Sequence, residues 1–292
     1  MLILNNVTKY GINNNQIYNA TIHFSKHKIY GIIAHTNDTS STLLNLISNR
    51  ISPNIGTISY GEHTLNKFSN LNDYLYLMSH RDYFKQADTI KRSFQTVKAF
   101  NQHFDEAFAL QCLSEFKLEL SMRLKSLSKG NYTKFKLCIA LAMNVPYVAY
   151  DDPILGLDQQ SRQVFYNLLL QSFMKYEHTI ILTSSIINEM SELLDEIIII
   201  KEGHKLMIID KDALMNTSYR LVGSRDELRR YVSKDEIIQV KQRKEDIQAL
   251  VMSNKDLTQT KLHVSKVSLQ EISQAIIKGG YSHEQISETI RP

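Results

Sequence analysis

The stretch that most constrains this chain is residues 127–158, LSKGNYTKFKLCIALAMNVPYVAYDDPILGLD. Leu127–Gly130 is a polar turn that ends in glycine. Behind it, Phe135, Ile139, Ala142 and Met143 recur at the spacing of one buried helix face. Tyr147–Tyr150 is then a short apolar run that ends on two carboxylates, Asp151 and Asp152. Such a run reads as a parallel strand covered on both faces. Pro153 and the turn Gly156–Asp158 break the regular structure.

The rest of the 292 residues supplies enough apolar material to surround that strand, with 43% hydrophobic and 22% charged residues. This length suits one large domain plus a smaller one. The net charge of +4 and pI of about 8.8 permit contact with an acidic surface without requiring nucleic acid, and no nucleic-acid partner is expected. Cys112 and Cys138 lack metal-type spacing and read as reduced core thiols of a cytoplasmic protein. The start, MLILNNVTKY, runs directly into a strand pattern, so no signal peptide is expected. No apolar run approaches the ~18 residues of a membrane span. A role at a membrane would need another chain to hold this one there.

Along the chain, residues 2–7 and 17–24 alternate as paired strands around the polar turn Asn13–Asn15. Lys28–Ile33 is an apolar strand that runs through Ala34-His35-Thr36-Asn37-Asp38-Thr39-Ser40-Ser41-Thr42 into the helical pattern LLNLISNR. Strand, polar loop and helix is the layout that aims backbone N–H groups and a helix N-terminus at phosphates. Residues 56–60 and 75–78 are further strands, and residues 88–121 read as helical, with Phe94, Phe100, Phe104, Phe108 and Phe116 as core. After the central stretch come a helix over 162–176, a buried strand over 179–182, Thr183-Ser184-Ser185, a helical pattern over 186–194 and a hairpin over 196–209. From about Ala213 the pattern changes to strand-like TSYRLVGS and EIIQVKQ and helical DELRRYV and SLQEISQAIIKGG.

The order and spacing of these pieces resemble the ATP-binding cassette (ABC) family over roughly residues 1–210. LSKG resembles its signature loop, PYVAYDD its Walker B strand and GLD its D-loop. The resemblance implies an α/β fold: a P-loop NTPase-type parallel sheet with an antiparallel β subdomain and a helical subdomain. Residues 1–212 would be the nucleotide-binding domain, with the helical subdomain at about 85–145, and residues 213–292 a small α+β accessory domain. It implies ATP and Mg2+ as ligands. Tyr10 matches the aromatic that stacks on adenine, although a strand-end tyrosine packed on the core is an equal reading. Ala34, Asn37, Thr39 and Ser40 stand where the family's phosphate loop has three glycines and a lysine. Ser41 matches the magnesium ligand, with Thr42 behind it, and Asp151 the carboxylate near the metal. Asp152 stands at the general-base position, His80 at the Q-loop position and Ser185 at the H-loop position. Ser128, Gly130 and Asp158 match the signature and D-loop residues.

These replacements can be weighed. A cation about 4 Å from a phosphate is worth about 4 kcal/mol at an effective dielectric of about 20, and Ser40 forfeits it. Asp38 adds a negative charge to the same loop. Thr39 cannot adopt positive φ cheaply. Asp152 is a methylene shorter than glutamate, about 1.5 Å, and a displacement of about 1 Å can cost on the order of 10²-fold in rate.

In the family, two cassettes dimerise head to tail and each ATP lies between the Walker motifs of one chain and the signature of the other. The resemblance therefore implies a subunit held to the inner face of the cell membrane by a polytopic membrane subunit. A second cassette would be its partner, as heterodimer or homodimer, and LSKG would complete that partner's site. Arg81–Lys85 would meet the membrane subunit. The C-terminal extension is similar to that of peptide and toxin exporters, the phenol-soluble modulin exporter type among them. Two other readings stand beside this one: a slow homodimeric exporter ATPase, and a soluble pseudo-ATPase acting as a regulatory module.

Overall fold

The computed structural model describes residues 1–11, 16–66, 68–79, 81, 83–184, 187–201, 206–243, 246–257 and 260–279. The first part of the chain runs β1 (Leu2–Lys9), β2 (Ile17–Phe24), β3 (Ile29–Ala34), α1 (Asn37–Ile47), β4 (Ile55–Tyr60), β5 (His63–Thr64) and β6 (Leu75–Met78). Then come α2 (Ile90–Phe100), α3 (Glu106–Glu115), α4 (Lys129–Leu141), β7 (Tyr147–Asp151), α5 (Gln159–Tyr176), β8 (Thr179–Thr183), β9 (Glu196–Ile200) and β10 (Leu206–Asp210). The last part is α6 (Lys211–Thr217), β11 (Ser218–Gly223), α7 (Arg225–Tyr231), β12 (Ile237–Arg243), β13 (Asp246–Met252), β14 (His263–Lys266) and α8 (Leu269–Lys278).

The central sheet has the order β10-β9-β3-β8-β7-β6. Its strands pair in parallel from β9 to β6, and β10 closes the edge antiparallel to β9. Both faces are covered, which is why its strands read as apolar runs. Val148 and Tyr150 of β7 face one hydrophobic core, with α4 and α5, while Tyr147 and Ala149 face the other, with α1 and the β1–β2 hairpin. The period-2 alternation of a strand thus feeds two cores at once. A second, antiparallel sheet, β2-β1-β4-β5, stacks on the far core. Tyr147 stitches the two sheets, its hydroxyl accepting from Leu2 N at 2.9 Å and donating to Phe24 O at 3.2 Å.

Helices α2 to α4 form the helical part expected from the phenylalanines. Phe94, Phe104, Phe108 and Phe116 are buried, but Phe100 is 81% exposed, contrary to the core position expected of it. It lies six residues after Phe94, about 240° round a helix of 3.6 residues per turn, so it faces solvent. The single buried face expected of α4 is also too narrow, because all seven residues Phe135–Leu141 are buried. The helix is packed against α3, α5 and β6 together. Asp105 ties α3 to α5: its carboxylate caps Phe108 N and accepts from Lys175 Nζ at 2.7 Å and Tyr176 Oη at 2.9 Å. Burial alone would raise its pKa, but these hydrogen bonds hold it down at about 2. Cys112 and Cys138 are buried and unbonded. Among the described residues no helix is long and apolar enough to cross a membrane.

The C-terminal region forms a third sheet, β12-β13-β11-β14. Ile247, Ala249 and Val251 face a small core of their own with Leu228 and Val232, while Leu250 and Met252 join the main core. Leu269, Ile272, Ala275, Ile276 and Ile277 of α8 join that main core as well. Position 212 falls inside α6.

His178, 1% exposed before β8, sets a pH dependence. Burial pushes its pKa down from 6.5 to about 4. Between these values the unfolded chain binds the proton and the folded chain does not, so stability falls as pH drops through this window, by about 3 kcal/mol. Denaturant melts at pH 7 and pH 4.5 should show this loss, and His178→Gln should remove most of it. An unchanged slope in the variant would refute the assignment.

Candidate functional site

The parallel strands fix where a site can lie. The C-terminal ends of β3, β7 and β8 emerge together, and the crevice beyond such ends is where open α/β sheets bind ligands. A cleft of about 390 Å³ opens there. From β3 and α1 it takes Ala34, His35, Asn37, Asp38, Ser40 and Ser41. From the ends of β7 and β8 it takes Asp151, Asp152, Thr183 and Ser184, and α8 closes it with Gln270, Gln274 and Ile277.

Ser41 Oγ lies 2.9 and 3.1 Å from the two carboxylate oxygens of Asp151. Thr183 Oγ1 lies 3.2 Å from Asp151 Oδ1 and accepts from Asp152 N at 2.9 Å, so one hydroxyl orders both acids. Asp152 sits at φ +48, a left-handed turn out of the strand. The loop between β3 and α1 is short. Residues 37–40 form the first turn of α1, and Thr36 caps it through Thr39 N. No residue from 34 to 42 has positive φ. The positions of the expected phosphate cradle are therefore an ordinary helix start.

Charge points the same way. Asp38, Asp151 and Asp152 line the cleft, and neither Lys nor Arg is among its described lining residues. Arg50 is committed elsewhere, donating to Ser79 Oγ at 2.8 Å and Leu77 O at 3.0 Å. The Ser41–Asp151 pair fits one side of a magnesium ion, which takes few carboxylates and completes its shell from phosphate and water. Among the described residues no cluster of three or more His, Cys, Asp or Glu side chains could hold a metal alone. A triphosphate fits less well, since it meets three carboxylates with neither a lysine nor a glycine among the described lining residues.

Of the other sequence-expected residues, those that are described do not line this cleft. Tyr10 is 55% exposed and meets Tyr18 edge-on at 6.4 Å. Thr39 is buried in the first turn of α1, and the Thr42 hydroxyl turns back to Asp38 O at 2.7 Å. His80 and Ser185 lie outside the described residues. Ser128, Gly130 and Asp158 gather at the start of α4. Ser128 caps Asn131 N at 3.2 Å and is exposed. A Cβ on Gly130 would lie 2.8 Å from Gly156 O, so glycine is required for this approach. Asp158 caps α5 through Ser161 N at 2.8 Å, which holds its carboxylate below the usual range. Beside them runs a groove of about 620 Å³ lined by Phe84, Tyr132, Lys125, Lys129 and Lys136. Tyr83 lies outside this groove, under the Arg50 guanidinium at 5.0 Å, while Phe84 packs on Phe135 at 5.0 Å.

The ABC transporter family model matches residues 17–155. The energy-coupling factor transporter ATP-binding protein EcfA2 of Staphylococcus aureus strain MRSA252 is 28% identical over 201 residues, 64% of this chain and 70% of the relative. Residues 17–155 thus match an ABC transporter ATP-binding domain. The fold of the chain matches the dimeric structure of a bacterial ABC transporter cassette with a TM-score of 0.62, at 21% identity, over 72% of this chain and 99% of that one. A putative cobalt transport ATP-binding protein matches with a TM-score of 0.64, at 20% identity, over 94% of this chain and all of that one.

Sequence reasoning missed what α8 contributes to this ABC domain. The i, i+4 pair Gln270 and Gln274 is visible on an amphipathic helix, but no local pattern says which surface it meets. The isolated chain should bind Mg-ATP with a Kd well above micromolar, because three carboxylates line the cleft and neither Lys nor Arg is among its described lining residues. Calorimetry tests this, and submicromolar binding would refute it.

Proposed function

We propose that this chain is the nucleotide-binding subunit of an ABC transporter whose working part is its signature end, offered to the ATP site of a second cassette. One observation carries the reading: the two helix starts carry opposite charge. The start of α1 is lined by Asp38, Asp151 and Asp152. The groove beside the start of α4 is lined by Lys125, Lys129 and Lys136 and holds no Asp or Glu among its described lining residues. An anionic phosphate is favoured by the dipole at either start, but charge favours it only at α4. Ser128 and Lys129 are exposed there, open to a partner. Tyr10, Ala34, Asn37, Thr39, Ser40, Ser41 and Thr42 then belong to a weak ATP site, with Ser41 and Asp151 toward Mg2+. His80, Asp152 and Ser185 stand at catalytic positions without completing them.

The chain would work on the inner face of the cell membrane, held there by a polytopic membrane subunit. The C-terminal extension supports transport of peptides or toxins outward. A second reading, a subunit of an energy-coupling factor type of transporter, is favoured by the 28% identity to EcfA2. The membrane protein that co-purifies with the chain separates the two.

The site reading is tested in a reconstituted two-cassette complex with the partner left wild type. Ser128→Arg should lower ATP turnover by ~10²–10³, the usual cost of losing a positioned donor to a transition-state oxygen. Ser40→Ala and Asp152→Asn should change it less than about tenfold, as neither completes a working site. If Asp152→Asn abolishes turnover and Ser128→Arg does not, this chain is itself the catalyst.

A further inference from the structure

The wall of the nucleotide cleft opposite Asp151 comes from the far end of the chain. Gln270, Gln274 and Ile277 line the cleft, and their spacing, i, i+4 and i+7, is one stripe of a helix. Leu269, Ile272 and Ile276 form the other stripe, buried in the core that also holds β7, β8 and β9. The helix is therefore fixed by apolar packing. Polar contacts hold it at both ends. Gln270 N donates to Asn188 Oδ1 at 2.8 Å, and Asn188 Nδ2 donates to Gln270 Oε1 at 3.4 Å. Glu271 pairs with Arg220, and Lys201 Nζ donates to Gly279 O beyond the helix end.

We propose that α8 is part of the nucleotide site, with Gln274 contacting the phosphate end of a bound magnesium nucleotide. Gln274 is exposed on a turn whose neighbours Ser273, Ala275, Ile276 and Ile277 are buried, and it borders the cleft. A glutamine carboxamide offers two N–H donors and no negative charge. In a cleft with three aspartates and neither Lys nor Arg among its described lining residues, it is a donor that faces a phosphate without adding repulsion. Ile277 supplies an apolar edge beside it. The region after residue 213 then contributes directly to ligand binding. This rests on the ATP-binding role of the cleft and not on the signature-end reading, and it is measured on the isolated full chain, so either can fail alone.

The test reads charge at one exposed position. Mg-ATP is titrated into the full-length wild type, Gln274→Lys and Gln274→Glu by calorimetry, carried to millimolar nucleotide, with thermal melts to confirm folding. Gln111→Lys on α3, away from the cleft, controls for net charge. Gln274→Lys should tighten binding by about tenfold or more, since it restores a cation near the phosphates. Gln274→Glu should weaken it by a similar factor, and Gln111→Lys should leave it unchanged. Variants at 274 within about twofold of wild type, a shift of the wrong sign in either, or an equal shift from Gln111→Lys would overturn the proposal.

Discussion

Every feature of this protein depends on the double coverage of its central sheet. Because β7 has a hydrophobic core on each side, its side chains have nowhere polar to go until the strand ends. Two carboxylates placed along such a strand would be buried without partners at a cost of several kcal/mol each. Placed at its end, the Asp151 carboxylate reaches Ser41 and Thr183, which come from the neighbouring α1 and β8, and Asp152 is tied to Thr183 through its backbone N–H. Parallel pairing makes these ends coincide. The cleft is a consequence of sheet geometry before it is a consequence of any motif.

The same geometry separates fold from charge. The turn after β3 contains no glycine, and α1 begins at Asn37, capped by Thr36. Leu43, Leu44, Leu46 and Ile47 hold α1 in its core. The polar residues at this junction are therefore not what holds the architecture together. The start of α4 is held differently, by a glycine against the backbone of Gly156, and there the backbone itself constrains the sequence. Lys125, Lys129 and Lys136 line the groove beside that start, and Asp38, Asp151 and Asp152 line the cleft at the other. The cleft and the groove are thus lined by charges of opposite sign on a common framework.

The C-terminal region is joined to this framework by the alternation of a single strand. β13 sends Ile247, Ala249 and Val251 outward to one small core and Leu250 and Met252 inward to the main one. With α8 packed into that main core, the region after α6 shares the hydrophobic interior that supports β7. Its position at the cleft follows from that packing.

What the sequence determined by itself was local and ordered. The apolar run of β7, its terminal acids, the β1–β2 alternation and the polar LSKG segment that opens α4 are each short-range patterns, and their succession specifies the α/β framework. The sequence also showed which polar groups stand between β3 and α1, since identity there needs no coordinates. Tertiary structure decided what each face meets. Periodicity said that α8 and α4 are amphipathic or apolar, but not that α4 is enclosed almost all round or that Gln274 borders the cleft of Asp151, more than a hundred residues earlier. Phe100 shows the same limit, being apolar yet turned to solvent by its angle round α2. A hydrophobic pattern fixes that a face is buried, whereas the partner of that face is set by long-range packing that no local window contains.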